Sequence, residues 1–188
     1  MLEDIERIII SKQEIKSKVK ELGKTISKDY QNRNLLLVSI LKGSVVFLAD
    51  LIREINVPLS IDFICASSYG KDAFSSGKIQ ILKDLDVDVK GYDILIVEDI
   101  LDSGNTLRYI IEMLQKRNPN SIKLCTLMNK SKQNGNKIKC DYEGFKIPNE
   151  FVVGYGLDYN EKYRNLSFIG ILKPQIFENS KYIRSDFL

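Results

Sequence analysis

The chain alternates between two hydrophobic rhythms. Ile15, Val19, Leu22 and Ile26 recur at helical spacing behind Ser11 and Glu14, a capping-box pair, and predict a first helix. "NLLLVSIL" (34–41) is a continuous apolar run, as expected of a strand buried on both faces. After the punctuation "KGS" (42–44), "VVFLADLIREI" (45–55) predicts a helix with Phe47, Leu48, Leu51, Ile52 and Ile55 inward. "LSIDFICA" (59–66) alternates partially and predicts a strand. The Ser- and Gly-rich stretch 67–77 predicts a mobile loop, and "KIQIL" (78–82) a returning strand. "YDILIVED" (92–99) is another buried strand, followed by an amphipathic helix over 107–117 with Leu107, Ile110, Ile111 and Leu114 on one stripe. "SIKLCTLMN" (121–129), "FVVGY" (151–155) and "SFIGIL" (167–172) read as strands. This alternation implies βαβ units: an α/β fold with a mostly parallel twisted sheet flanked by helices.

The 188 residues suit one domain spanning 1–188, large enough to bury a core without staples. Lys plus Arg (28) exceeds Asp plus Glu (25) by three, so bulk binding to nucleic acid is not expected. No run of about 18 apolar residues suggests a membrane span. "MLEDIERIII" carries acids where a secretory leader carries bases, so a cytoplasmic protein is expected. The three cysteines are too few and too widely spaced for a disulfide framework or zinc site, and Cys65 and Cys125 are expected to be buried thiols. The absence of histidine has the most chemical weight. It excludes Ser-His-Asp and Cys-His catalysis and any His-ligated metal, which leaves proton transfer to carboxylates, Lys, Tyr or substrate groups.

In open α/β sheets ligands bind beyond the carboxyl ends of the strands. Lys42, the segment from Glu98 to Thr106, and Lys130 all fall there. "DSGNT" (102–106) joins a buried strand to a helix. Gly104 permits backbone angles that let successive N–H groups share a concavity, backed by the positive end of the helix, with Ser103 and Thr106 adding hydroxyls. Asn105 or Thr106 is placed to cap that helix. Such a loop suits a phosphate monoester. Glu98, Asp99 and Asp102 crowd three carboxylates at one strand end, where they need hydrogen-bond donors or a cation. Sugar hydroxyls and Mg²⁺ meet that need. Together they describe a site for a phosphorylated ribose. Neither a Walker A pattern nor G-x-G-x-x-G occurs, so a nucleoside triphosphate or dinucleotide site is unsupported.

"VEDILDSGNTL" (97–107) resembles the phosphoribosyl-pyrophosphate (PRPP) motif of type I phosphoribosyltransferases, and the other blocks resemble the hypoxanthine-guanine phosphoribosyltransferases. "LKGS" (41–44) is similar to their pyrophosphate loop, "SSYG" (67–70) to their closing loop, "MNK" (128–130) to their purine-contacting lysine, and "FVVGYGLDYNEKYRNL" (151–166) to their purine-binding signature. The resemblance implies the type I fold with a small hood formed by terminal segments, and purine salvage: hypoxanthine or guanine plus PRPP giving the nucleoside monophosphate and pyrophosphate. It implies that Glu98 and Asp99 accept from ribose hydroxyls directly or through hydrated Mg²⁺, and that Asp102 is the general base near purine N7. Ser103, Gly104, Asn105 and Thr106 would hold the 5′-phosphate. Lys42 and Gly43, after a Leu41–Lys42 peptide that is often cis in the family, would meet the pyrophosphate with Arg164. Ser68 and Tyr69 would close over the site. Lys130 would donate to O6, Phe151 stack on the base, the Val152 backbone read its edge, and Asp158 help hold a second Mg²⁺. A homodimer or homotetramer is also implied.

One departure is local: where many members have a basic residue shortly before "SSYG", this chain has "ICA" (64–66), which removes an arginine contact without removing a catalytic group. Two other readings compete. A PRPP-sensing regulator on the same fold explains the loop but does not need Lys130, Phe151 and Asp158 together. A phosphatase of the haloacid dehalogenase type is suggested by "DLDVD" (84–88), but Lys83 intervenes before the acids, as in a polar turn.

Overall fold

The computed structural model describes residues 1–68, 79–130 and 138–177. After a short 3-10 turn, β1 (Ile5–Ile10) leads into α1 (Lys12–Asp29), then β2 (Leu35–Leu41), α2 (Val45–Glu54), β3 (Leu59–Ser68), β4 (Ile79–Lys83) and β5 (Asp93–Leu101). There follow α3 (Asn105–Gln115), β6 (Ser121–Asn129), β7 (Tyr142–Lys146), β8 (Val152–Val153), β9 (Ile169–Leu172) and the single turn α4 (Pro174–Phe177).

The main sheet has the order β4-β3-β2-β5-β6-β7. Among the described strands of this sheet each pair from β3 to β7 is parallel, and β4 runs antiparallel beside β3 at the edge. The central strands are apolar on both sides because both sides are covered. Leu35, Leu37, Leu95, Val97, Cys125 and Leu127 pack with Ile15, Val19, Leu22 and Ile26 of α1 and Phe47, Leu48 and Leu51 of α2. Leu36, Val38, Ile94, Ile96 and Leu124 pack instead against Leu107, Ile110 and Leu114 of α3. The capping box at Ser11 forms in full: Glu14 N–H donates to Ser11 Oγ, and the Ser11 backbone N–H donates back to the Glu14 carboxylate at 2.8 Å.

A second sheet, β1-β9-β8, is antiparallel and joins residues 5–10 to residues 152–153 and 169–172 in a hood. Tyr163 Oη donates to Asp4 at 2.9 Å and the Lys173 N–H to the Asp4 carbonyl at 2.9 Å. The hood is seated on the α1–α2 side: Ile10, Val152, Tyr155, Ile169 and Ile171 join that core, and Tyr155 Oη donates to Asp50 of α2 at 2.6 Å.

Several expectations need correcting. Strands β1 and β7 form where no apolar rhythm predicts them. Only Val152 and Val153 of the run 151–155 form a strand, because Gly154, Tyr155 and Gly156 all take left-handed backbone angles. α3 starts at Asn105 rather than 107, and its cap is Gly104, at φ 71°, instead of Asn105 or Thr106. Cys125 is buried, but Cys65 is only half-buried. The acids of "DLDVD" are tied into a turn: Arg117 makes a two-pronged ion pair with Asp84 (2.9 and 2.6 Å), and the Asp86 N–H donates to Asp62 at 2.7 Å. No helix among the described residues is long and apolar enough to cross a membrane.

Candidate active site

The residues singled out from the sequence gather at and beyond the carboxyl ends of β2, β5 and β6, against the hood. Strand β5 brings the acids. Side chains on an ideal strand alternate, which would send adjacent acids to opposite faces. Ile94 and Ile96 do face α3, and Leu95 and Val97 face α1 and α2, but Ile100 then packs on the α1–α2 side and Leu101 on the α3 side. The alternation slips by one across Glu98–Asp99, and the two carboxylates interact.

Burial, then the neighbouring Asp99, raises the Glu98 carboxyl well above its ordinary range. Burial pushes Asp99 up to about 6, opposed by the Ile100 N–H, which donates to it at 2.8 Å, and by the charge of Arg164, while Asp158 adds to the rise. Glu98 Oε2 is buried and has no hydrogen-bond partner among the described residues, so its chemistry suits a cation or a hydroxyl donor. Among the described residues no three acidic, His or Cys side chains form a metal cage. Mg²⁺ typically binds through one or two carboxylates plus substrate phosphates, which is the mode that Glu98 and Asp99 fit.

The loop after β2 backs onto these acids. The Leu41–Lys42 peptide is cis, as the resemblance implied. Gly43 lies so close to Asp99 that a Cβ there would come 1.8 Å from Oδ2. A Cβ on Gly156 (φ 102°) would likewise meet the Gly43 carbonyl at 2.0 Å, so backbone from β2, carboxylate from β5 and hood loop are stacked in contact. Ser44 steadies this loop from below, its buried hydroxyl meeting Ser39 Oγ at 2.6 Å and the Ile40 carbonyl.

The loop after β8 supplies a polar chain across the same side. Arg164 Nη1 donates to the Gly156 carbonyl at 2.8 Å, and Nη2 contacts Asp158 at 2.8 Å and Glu161 at 3.2 Å. The other oxygen of Glu161 accepts from Lys42 Nζ at 3.1 Å. Lys42, Asp158 and Arg164 are thus brought together although 122 positions of sequence separate the outermost two.

On the β6 side, Lys130 Nζ stands 3.4 Å from Asp102 Oδ2; the lysine side chain is 2% exposed and the aspartate 32%. The Lys130 N–H donates to the Leu101 carbonyl at 3.0 Å, which fixes the ends of β5 and β6 side by side. Phe151 is half-buried, edge-on to Tyr159 with ring centroids 5.6 Å apart, and Val152 pairs through the backbone with Ile171. Ser103, Gly104 and Thr106 are half-buried and Asn105 is exposed, around the first turn of α3, whose leading N–H groups have no intrahelical acceptor. Ser68 ends β3, pairing with Ile79. Tyr69 lies outside the described residues. Glu161 and Gly156 were not singled out from the sequence. The glycines of "GYG" offered the signal for the second, and the polar turn "DYNEK" for the first.

A model of the phosphoribosyl transferase domain matches residues 8–160. The chain is 50% identical to the hypoxanthine-guanine phosphoribosyltransferase of Bacillus subtilis (strain 168) over 179 residues, covering 95% of this chain and 99% of that one. It is 50% identical over 173 residues to the enzyme of the same name from Lactococcus lactis. A crystal structure of a hypoxanthine phosphoribosyltransferase from Staphylococcus aureus superimposes with a TM-score of 0.91 at 47% identity, covering 95% of this chain and 97% of that one. The hooded parallel sheet is the type I phosphoribosyltransferase fold, and the chain belongs to the hypoxanthine-guanine phosphoribosyltransferase family of purine-salvage enzymes.

Proposed function

We propose that the protein transfers the 5-phosphoribosyl group of PRPP to N9 of hypoxanthine or guanine, releasing pyrophosphate, with the site residues in the following roles. The observation that carries the reading is the Lys130–Asp102 pair, an ammonium donor and a carboxylate acceptor 3.4 Å apart. A 6-oxopurine presents the complementary groups on one edge: O6 accepts from Lys130, and N7–H, where the base carries its proton, faces Asp102. Adenine puts an amino donor opposite Lys130, so the pair discriminates against it. Phe151 stacks on the base, and the Val152 backbone reads its far edge.

Glu98 and Asp99 accept from the ribose hydroxyls and place negative charge near the sugar as its anomeric bond breaks and positive charge builds there. Ser103, Gly104, Asn105 and Thr106 hold the 5′-phosphate at the start of α3. Gly43 offers backbone to the pyrophosphate, and Lys42 and Arg164 stabilise the charge it acquires on leaving. Asp102 takes the purine proton as the new bond forms. Mg²⁺, held by Glu98 and Asp99 with a second ion near Asp158, would supply further counter-charge to the pyrophosphate. Ser68 and Tyr69 exclude water from the closed site.

Steady-state rates with the separate bases test this. Hypoxanthine or guanine should be consumed only with PRPP, one pyrophosphate appearing per base. Adenine should be disfavoured by about 10⁴-fold in kcat/KM, the scale for a site built around a specific hydrogen bond. Comparable turnover of adenine, or phosphate release in place of pyrophosphate, would defeat the assignment.

We also read the chain as a single domain that works as a homodimer or homotetramer. The exposed apolar side chains of Val45, Ile61 and Leu82, on α2 and at the β3–β4 edge of the sheet, support that reading. Sedimentation should return two or four times the 21.6 kDa chain mass, and a monomer at assay concentration would refute it.

A further inference from the structure

Lys42 and Arg164 face each other across a third side chain. One Glu161 oxygen accepts from Lys42 Nζ (3.1 Å) and the other from Arg164 Nη2 (3.2 Å). The carboxylate spans the two cations as a phosphate oxygen pair would. The Lys42 bond first, then that of Arg164, holds its acidity below the ordinary glutamate range.

The backbone beneath is an unfavourable place for this residue. The Tyr159 N–H donates to the Lys162 carbonyl at 3.2 Å, and the Lys162 N–H returns to the Tyr159 carbonyl at 3.1 Å. Asn160 (φ 52°) and Glu161 (φ 59°) form the two corners of a primed hairpin turn. Asparagine suits the first corner, but the second favours glycine, and a glutamate there strains its Cβ. Strain held at a ligand site directs attention to what the side chain does. The Glu161 N–H donates to Asp158 Oδ2 at 2.9 Å, so the turn aims the carboxylate while Asp158 holds both the turn and Arg164.

We propose that Glu161 is a built-in rival anion of the pyrophosphate subsite: it keeps Lys42 and Arg164 paired before substrate binds, yields them to the incoming pyrophosphoryl group, and reclaims them as pyrophosphate departs. The proposal rests on the reading of Lys42 and Arg164 as pyrophosphate contacts. A rival that is displaced whenever the diphosphate binds weakens substrate and product together, which costs affinity but speeds release. Release is the slow step in many well-evolved enzymes. Two charge pairs with exposed partners on a flexible lysine and a surface turn form a suitable rival, weak enough to be displaced.

The test is titration of magnesium pyrophosphate into the wild-type protein and Glu161→Gln, alongside steady-state kinetics with PRPP. Glu161→Gln keeps the strained backbone and removes the charge. It should bind magnesium pyrophosphate about three- to tenfold tighter, the scale of one or two exposed pairs, and show a lower KM for PRPP with stronger product inhibition. Glu161→Gly should tighten binding in the same way and also raise Tm. Weaker binding in Glu161→Gln would make Glu161 a positioning residue for the cations and overturn the proposal, and unchanged binding would overturn it as well. Lys42→Gln and Arg164→Gln separate the two levels of failure. Both should bind pyrophosphate more weakly, and in Lys42→Gln the gain from removing the Glu161 charge should shrink. If neither weakens binding, the pyrophosphate subsite itself has been misassigned.

Discussion

Replacing Gly43 with alanine is expected to lower turnover by about 10²-fold or more while leaving the fold standing, because displacing a reacting group by about 1 Å costs on that scale. The new Cβ would come 1.8 Å from Asp99 Oδ2 and 2.9 Å from its Cγ. Neither partner has room to withdraw. Asp99 is 6% exposed and accepts the Ile100 N–H at 2.8 Å, while the Gly43 carbonyl is already packed against Gly156. The carboxylate must therefore turn away from the position proposed for the ribose, or the loop must leave the one proposed for the pyrophosphate. Overpacking of this kind costs about 1–3 kcal/mol, and it is confined to the strand ends, away from the cores around α1, α2 and α3. Kinetics and a melting curve on the same preparation decide the matter. A kcat near wild type would mean that Asp99 has slack this geometry does not show.

Asp102→Ala should reduce kcat by about 10²–10⁴-fold, the usual worth of a positioned general base, while the dissociation constant for PRPP changes little. The reason is position. Asp102 pairs with Lys130 on the side proposed for the base, whereas the groups proposed to grip PRPP are Lys42, Gly43, Glu98, Asp99, the 103–106 turn and Arg164. Asp102→Asn refines the test, since it retains an oxygen acceptor near Lys130 but cannot take up a proton at neutral pH. It should share most of the loss in turnover while holding the purine better than the alanine variant does. Equal losses in kcat and PRPP affinity would show that Asp102 is a binding group and that another group carries the proton.

The elements legible in the sequence were those whose burial follows a local rhythm. Strands β2 and β5 are apolar throughout because both faces are covered, and α1 announces itself by its cap and its stripe. Strand β1 is illegible in the sequence because of its six residues only Ile10 is buried, and its partner β9 lies about 160 positions away. A strand stabilised by a distant partner leaves little mark on its own composition. Strand β7 is short and includes Gly144, where a Cβ would strike the Leu127 carbonyl at 2.4 Å, so what looks like a turn residue is a point of close strand approach.

The site followed the same division. The acids and the small-residue turn are contiguous from Glu98 to Thr106 and could be read as a unit. Glu161 acquires its chemistry only when the chain folds back and sets it between Lys42 and Arg164, a meeting that no local pattern records.

The hood has a consequence for how the molecule comes into being. Among the described residues its middle strand, β9, is the last strand, and one of its two outer strands, β1, is the first. During synthesis the six-stranded sheet can assemble once β7 has emerged, yet the wall that carries Phe151 and Val152 has no neighbour to zip onto until residues 169–172 follow. In a nascent chain β1 and β8 thus find their common partner only after the parallel strands β2, β5, β6 and β7 are all available to pair.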